Sequence, residues 1–257
     1  MTELFSKEHT ILERPFMEFR PYGKDERGET ISDITGMIVG ATVDYLEECV
    51  SRMAGGRAGA EAVQELCRRL NERIPDATYH VTADFLKKNW NGYSYEFVCY
   101  VRELCVQISG DPGFIFNAAK AKKVSARYLV LGRPFSVAQI YRMYPHFTQE
   151  CASKDAVEVQ VVEATDGLAI LRLRFTERAV RQFGPYLRRC AELTCGSAKG
   201  GLASIPEKIH DLQPAEVRDR TCMAKDDEWC TWEIMWREHG GTGLLQSLKR
   251  VFRRGPR

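Results

Sequence analysis

Apolar residues at three- and four-residue spacings recur through the first half of the chain and predict helices, because this spacing places them on one helix face. The Gly55-Gly56 pair should end the first of these helices, and Ser136 is a residue type that caps helix N-termini. The segment 93–108 is the most apolar of the set. The predicted helices cover 34–54, 60–74, a stretch from Ala83, 93–108, 114–121 and 136–144.

The pattern changes to strict alternation after residue 156, which is typical of half-buried strands. Val157, Val159 and Val161 alternate with polar residues, and a Thr-Asp-Gly turn at 165–167 leads into a second alternating run at 168–175. A helix at about 177–195 follows. Helices first, then strand pairs separated by a helix, predict an α+β fold with an antiparallel sheet.

The last strand pair carries two cysteines in the stretch TCMAKDDEWCTWEIMW. Cys230, Trp232 and Trp236 stand at alternate positions, so this strand should be half buried. A polar turn centred on Asp226 would place Cys222 directly opposite Cys230. Such a cross-strand pair can bind one metal ion or form one disulfide, and two buried structural thiols are the plainer alternative.

Composition points to a cytoplasmic protein. The N-terminus MTELFSKEHT has acidic residues and no apolar core, so it does not read as a signal peptide. The longest uncharged runs are ten residues, whereas a membrane span needs about 20 apolar residues. Nine cysteines without an export signal favour a reducing compartment. The net charge of +2 gives no reason to expect nucleic acid as a partner.

Conventional catalysis has little support, so we expect a binding protein more than an enzyme. The five histidines show no metal-ligand spacing, and no Ser-His-Asp motif or phosphate-binding loop is present. Gly196, Gly200 and Gly201 fit no dinucleotide fingerprint. They follow the predicted helix 177–195, where we expect them to act as C-caps.

Several motifs in order carry a family resemblance. They are NWNGYSYEFV, LVLGRPFSVAQIYRMYP, VEVQVVEATDGLAILRLRF, VRDRTC and DEWCTWEIMW. This order resembles the heme-NO-binding-associated type of sensory domain found at the N-termini of bacterial histidine kinases and cyclases. More distantly it resembles the 4-vinyl-reductase-type ligand-binding fold, shared with the vesicle-tethering TRAPP subunits. The Tyr-x-Ser-x-Arg signature of heme nitric-oxide sensors is absent.

The resemblance covers roughly 34–237 and implies a single sensory domain there, preceded by an irregular leader at 1–33. It also implies zinc as a cofactor, because aromatic-sensing relatives bind zinc with this cysteine pair, an acidic residue three positions before it and an upstream cysteine. On an ideal strand Asp219 would point away from Cys222, and Glu216 would share its face, so a bulge is needed. Cys190 is a rival for the upstream ligand. The implied metal ligands are Cys195, Asp219, Cys222 and Cys230.

The resemblance further implies a pocket for a small apolar or aromatic ligand between helices and sheet. Aromatic rings with polar tips commonly line such pockets, although core packing explains each ring equally well. The candidate ligand-binding residues are Tyr95, Phe97, Tyr100, Phe114, Phe116, Tyr141, Phe147 and Trp232.

The segment 238–257 predicts an amphipathic helix with a basic face. This helix either packs on its own domain or continues towards an output domain or partner protein. Alternatively, it contacts a second copy in a homodimer or an anionic membrane surface. The expected function is a sensory domain in which ligand occupancy shifts the cysteine hairpin and this helix. The alternatives are a scaffold or tethering module, and an enzyme or carrier for tetrapyrrole-like molecules.

Overall fold

The structure is a computed structural model that describes residues 10–122, 130–151, 153 and 155–237. The predicted basic helix at 238–257 lies outside the described residues. No helix among those described is long and apolar enough to cross a membrane. The first half of the chain is helical, as the apolar spacing predicts. Its helices are α1 (Gly36–Ala54), α2 (Gly56–Asn71), α3 (Ala83–Leu86), α4 (Tyr95–Ser109) and α5 (Phe114–Ala121).

The second half forms a four-stranded antiparallel sheet in the order β3-β4-β6-β5. A short pair, β1 (Ile34–Thr35) with β2 (Gly92–Tyr93), stands apart from it. The α+β fold with an antiparallel sheet, predicted from the sequence, is confirmed. The remaining elements are α6 (Val137–Cys151), β3 (Val157–Thr165), β4 (Leu168–Phe175), α7 (Glu177–Phe183), α8 (Leu187–His210), β5 (Glu216–Thr221) and β6 (Cys230–Met235).

Helix α4 is the centre of the core, because every residue from 95 to 105 along it is buried. A helix that is buried on all sides belongs to the interior of a protein, and its charged residues Glu96, Arg102 and Glu103 have partners there. The sheet contributes its inner face to this core. Along β6, buried residues alternate with half-buried ones, so one face of the strand is turned inward. Cys49, Cys67, Cys99 and Cys105 lie in this core, as their apolar helical positions predict.

The single helix predicted at 177–195 is instead two helices. Gly184 (φ +52°) and Pro185 break it in a 3-10 turn, because this backbone angle favours glycine and proline cannot donate the helical hydrogen bond. Helix α8 then runs on to His210. The three glycines expected as C-caps therefore lie inside a helix, and that prediction is wrong.

Close packing between α5 and α8 explains one of these glycines. A Cβ atom added at Gly200 would lie 2.1 Å from the Phe116 carbonyl oxygen and 3.0 Å from the Ala119 Cβ. At the neighbouring Gly201 nothing lies within 4 Å of the same added atom. Gly200 thus lets the two helices approach to a distance that no other residue permits.

The described part of the leader, residues 10–33, is attached to α4 by a buried ion pair. Arg14 donates to the fully buried Glu96 carboxylate, which also accepts backbone N–H groups of Glu18 at 3.1 Å and Phe19 at 2.8 Å. The Tyr100 hydroxyl donates to the Arg14 carbonyl at 2.9 Å. Burial raises the pKa of Glu96, and these donors oppose the shift.

The two neighbouring glycines of α8 give a matched prediction. Gly200→Ala should lower the free energy of unfolding by about 1–3 kcal/mol, because its methyl group collides with backbone of α5. Gly201→Ala should raise it by about 0.5–1 kcal/mol, since alanine in a helix loses less conformational freedom on folding than glycine. Urea unfolding followed by circular dichroism measures both. Equal effects of the two substitutions would contradict the close approach at Gly200.

The buried ion pair gives a second prediction. Glu96→Ala should cost about 3–5 kcal/mol, because it leaves the Arg14 guanidinium buried without its partner. The double variant Arg14→Met/Glu96→Leu should be less destabilised than the sum of the corresponding single variants Arg14→Met and Glu96→Leu. A double-mutant cycle by urea unfolding decides this. Strict additivity would show that the two side chains do not interact.

Candidate metal centre

Three cysteine sulfurs from separate elements meet at the junction of α8 with the β5–β6 hairpin. Cys195 Sγ lies 3.6 Å from Cys222 Sγ and 2.6 Å from Cys230 Sγ, and the last two are 3.8 Å apart. All three residues are at most 8% exposed. They are the one group of potential metal ligands of this size and closeness found among the described residues.

The local sequence explains how the hairpin presents its two thiols. Thr221 pairs with Thr231, so the next residues along the two strands, Cys222 and Cys230, stand opposite each other. Asp226 has a φ of +67°, which a polar turn residue tolerates, and it helps to close the loop. The Cys222–Cys230 pairing predicted from a turn centred on this residue is therefore present.

Hydrogen-bond donors surround the sulfurs and favour thiolate at one of them. The Met223 N–H donates to Cys230 Sγ at 3.4 Å. The thiols of Cys195 and Cys230 point at Cys222, and the backbone N–H of Ala224 bonds to it, so the pKa of Cys222 is lowered. The hydrogen bond to Cys222 raises the pKa of Cys195 in turn. Negative charge in the cluster is thus held first on Cys222.

A β-bulge at Arg220 places Asp219 on the same face of the hairpin as Cys222. The register shifts between Asp219 and Thr221, so Asp219 pairs with the fully buried Trp232 while Thr221 pairs with Thr231. Directly paired residues of antiparallel strands project from the same face. Asp219 therefore shares the face of Trp232 and of Cys222, which follows Thr221. This is the bulge that the sequence requires for Asp219.

The same register places Glu216 on the opposite face of the sheet. Glu216 pairs with Met235, two positions beyond Glu233, and accepts a hydrogen bond from Arg218 at 2.7 Å. The Asp219 carboxylate instead accepts from Lys199 Nζ at 2.9 Å. Lys199 lies one helical turn after Cys195 on α8, and its charge also lowers the pKa of Cys222. Asp219 is thus an exposed residue paired with this lysine, and its carboxylate is not part of the close group formed by the three sulfurs.

The rival upstream cysteine is elsewhere in the core. Cys190 is fully buried and hydrogen-bonds with Cys99 of α4 rather than with the hairpin. The two cysteines of α8 are five residues apart, so they project from different sides of the helix. Cys195 is the one that faces the sheet.

The residues predicted to bind a ligand form interior packing in the described part of the chain. Three tyrosine hydroxyls are satisfied within the protein: Tyr95 with Thr194 Oγ1, Tyr100 with the Arg14 carbonyl and Tyr141 with the Leu202 carbonyl, each at 2.9 Å. Phe116 and Phe147 are half buried. Six of the eight are at most 1% exposed: Tyr95, Phe97, Tyr100, Phe114, Tyr141 and Trp232.

One polar atom in this interior lacks a partner. Trp232 Nε1 is buried and no acceptor lies within hydrogen-bond distance of it among the described residues. Trp232 stands two positions after Cys230 on the same face of β6. An indole N–H that is buried normally finds an acceptor, so this donor marks a place where an acceptor is missing. The alternating pattern identifies Trp232 as buried but gives no signal for an unpaired donor.

Comparison with known proteins shows a loose similarity to H-NOX structures. An Fe(II) H-NOX protein from S. oneidensis aligns with a TM-score of 0.48 and 15% identity, over 77% of this chain and 96% of that one. Unliganded Fe(II) H-NOX from K. algicida aligns with a TM-score of 0.48 and 11% identity, over 82% and 100%. A third structure, from work on the function of heme distortion in the H-NOX family, aligns with a TM-score of 0.45 and 10% identity, over 80% of this chain and 96% of that one.

No protein-family model matches the chain, and no curated protein matches it. The alignments cover most of each chain, at sequence identities of 15% or less. A link to the 4-vinyl-reductase-type and TRAPP folds is not among these findings.

These comparisons correct the cofactor predicted from the sequence. The similar structures are described with Fe(II) and with heme, and none of them with zinc, so the prediction of zinc is wrong. Heme itself does not fit the described part of this chain. A heme needs an axial ligand on the wall of a cavity. Of the described histidines, His80 and His146 are exposed and His210 is half buried in the last turn of α8, and the interior is filled by packed aromatic rings.

Proposed function

We propose that this chain is a small-molecule-binding sensory domain in which a metal–thiolate centre fixes the β5–β6 hairpin to α8. The observation that carries the proposal is the meeting of three buried cysteine sulfurs from two elements distant in the sequence. Buried thiols clustered in this way match the ligand preference of soft, thiophilic metal ions. The metal would act as a structural clamp between the helical half of the molecule and the sheet.

The sulfur geometry supports a tetrahedral site. Metal–sulfur bonds of about 2.3 Å in a tetrahedron separate the sulfurs by about 3.8 Å. Two of the three separations, 3.6 and 3.8 Å, are already close to that value. The Cys195–Cys230 separation of 2.6 Å would widen by about 1 Å, which a change of side-chain rotamer supplies.

Asp219 is our candidate for the fourth ligand. The bulge at Arg220 puts Asp219 on the cysteine face, and its carboxylate is an accepted partner of thiolates in tetrahedral sites. It would have to exchange its ion pair with Lys199 for the metal. A metal ion held by the three sulfurs in a tetrahedral site would have an open fourth position, which the Asp219 carboxylate would fill.

The ligand-binding part of the proposal rests on Trp232. An unpaired buried donor costs about 1–3 kcal/mol, and a ligand that brings an acceptor recovers that free energy. The surrounding interior is aromatic, so the ligand class is a small apolar or aromatic molecule with one hydrogen-bond acceptor. Since the interior is filled, binding requires a conformation in which the side chains around Trp232 repack to admit the ligand, and the ligand acts by favouring that conformation.

The filled interior also favours a second candidate function. A domain whose aromatic side chains are packed and hydrogen-bonded can act as a scaffold through its outer surfaces, with no ligand inside. In that case the metal centre would only stabilise the fold. Ligand binding distinguishes the two candidates.

Cobalt(II) provides the test of the metal centre, because thiolate-to-cobalt charge transfer absorbs in the near ultraviolet in proportion to the number of thiolates. We expect the reduced protein to bind one cobalt ion with this absorption. Cys195→Ser, Cys222→Ser and Cys230→Ser should each weaken binding by at least about 100-fold. Asp219→Asn should weaken it less, and Lys199→Met should tighten it, since the carboxylate is then free.

The matched control is Glu216→Gln, which removes a carboxylate from the same strand but from the outer face. Its cobalt affinity should equal that of the wild-type protein. Binding that survives in the three cysteine variants would rule out the proposed centre. If Asp219→Asn binds cobalt as tightly as Glu216→Gln does, while the cysteine variants lose cobalt binding, the site has three thiolates and a fourth ligand from solvent.

Thermal unfolding tests the ligand-binding part independently of the metal. Acetophenone carries an acceptor that ethylbenzene of similar size lacks, so it should raise the melting temperature more. Trp232→Phe should abolish the difference between the two compounds and keep the smaller effect of ethylbenzene. If neither compound changes the melting temperature of the wild-type protein at saturation, the scaffold function is favoured instead.

A further inference from the structure

A second concave site lies where the C-terminal turns of α5 and α8 meet α1. Its volume of about 400 Å³ is in the range of small-molecule sites. The groove is independent of the cysteine centre, since it shares no residue with it. Its lining residues are Tyr45, Glu48, Arg52, Asn117, Lys120, Ala121, Glu207 and Lys208.

Two lysines on the groove wall lack ion-pair partners. Lys120 is in the last turn of α5 and Lys208 in the last turn of α8, and within the described residues neither ammonium group pairs with a carboxylate. Cations at helix C-termini complement the helix dipole, which accounts for lysine at these positions. It does not account for two ammonium groups that line the same groove.

The environment of Lys208 confirms that its charge is poorly compensated. Burial lowers the pKa of Lys208 to about 8, Glu207 opposes this shift, and the positive charge of Lys120 adds to it. A bound anion would relieve both unfavourable effects.

The other side chains that line the groove restrict the class of ligand that it can bind. The Arg52 guanidinium lies 5.7 Å from the centre of the Tyr45 ring, so one wall is aromatic and positively charged. The lining has three cationic side chains, Arg52, Lys120 and Lys208, against two carboxylates, Glu48 and Glu207, which leaves one positive charge unbalanced. A ligand with a single negative charge neutralises the groove, whereas a dianion would leave it with a net charge of −1.

We infer that the groove between α1, α5 and α8 binds a small organic carboxylate with an apolar body. The carboxylate would lie between Lys120 and Lys208, and the apolar body would contact the Tyr45 ring and Ala121. Asn117 is placed on the same wall to hydrogen-bond with either end.

Benzoate is the probe for this inference, and chemical modification of Lys208 is the readout. Acetic anhydride at pH 7.5 and constant ionic strength modifies uncharged amines, so Lys208 should react faster than the exposed Lys225, and peptide mass spectrometry reports each rate. Benzoate should slow the modification of Lys208 saturably, by about tenfold at ten times its Kd. Neutral benzamide should have no effect, and Lys225 should react at an unchanged rate.

Calorimetry on variants provides the second measurement. Lys120→Met and Lys208→Met should each weaken benzoate binding by at least about tenfold, Glu48→Gln should tighten it, and Lys225→Met should leave it unchanged. Protection of Lys208 by benzamide, or benzoate affinity unchanged in both groove variants, would overturn the inference. Stronger protection by inorganic phosphate than by benzoate would overturn it as well, because the site would then prefer multiply charged anions.

Discussion

The orientation of α8 about its own axis is the constraint on which the rest of the structure depends. Three sides of this helix contact different neighbouring elements. Gly200 contacts the α5 backbone, Thr194 hydrogen-bonds with Tyr95 of α4, and Cys195 and Lys199 meet the β5–β6 hairpin. A rotation or shift that improved one contact would break the other two. Helix α8 therefore fixes α4 and α5 relative to the β5–β6 hairpin.

Local signals predicted most of the fold, and tertiary packing decided what they missed. The helix at 114–121 and the hairpin turn at 165–167 are found where the sequence places them, because apolar spacing and turn residues act over a few positions. Helix α8 runs past three glycines that look like a stop signal. The contact that requires Gly200 comes from Phe116, which is 84 positions earlier in the chain, so no local pattern could reveal it.

The candidate site was likewise predictable from the sequence only in part. The pairing of Cys222 with Cys230 follows from strand register and was predictable. The side of the sheet on which Asp219 lies depends on the bulge at Arg220, and the sequence showed only that a bulge was needed. The aromatic residues of α4 illustrate the remaining difficulty, since a ring that lines a pocket and a ring that fills a core share the same pattern. Hydrogen bonds such as that of Tyr95 identify them as packed.

The bulge at Arg220 has a consequence for association between molecules. Strand β5 lies at the edge of the sheet, where unpaired backbone groups can add a strand from another chain. A bulge distorts the edge, and charged side chains on it make such pairing unfavourable. β5 has both features, with the charged residues Glu216, Arg218 and Arg220 all exposed. The distortion that places Asp219 on the face of Cys222 therefore also protects this edge of the sheet against aggregation.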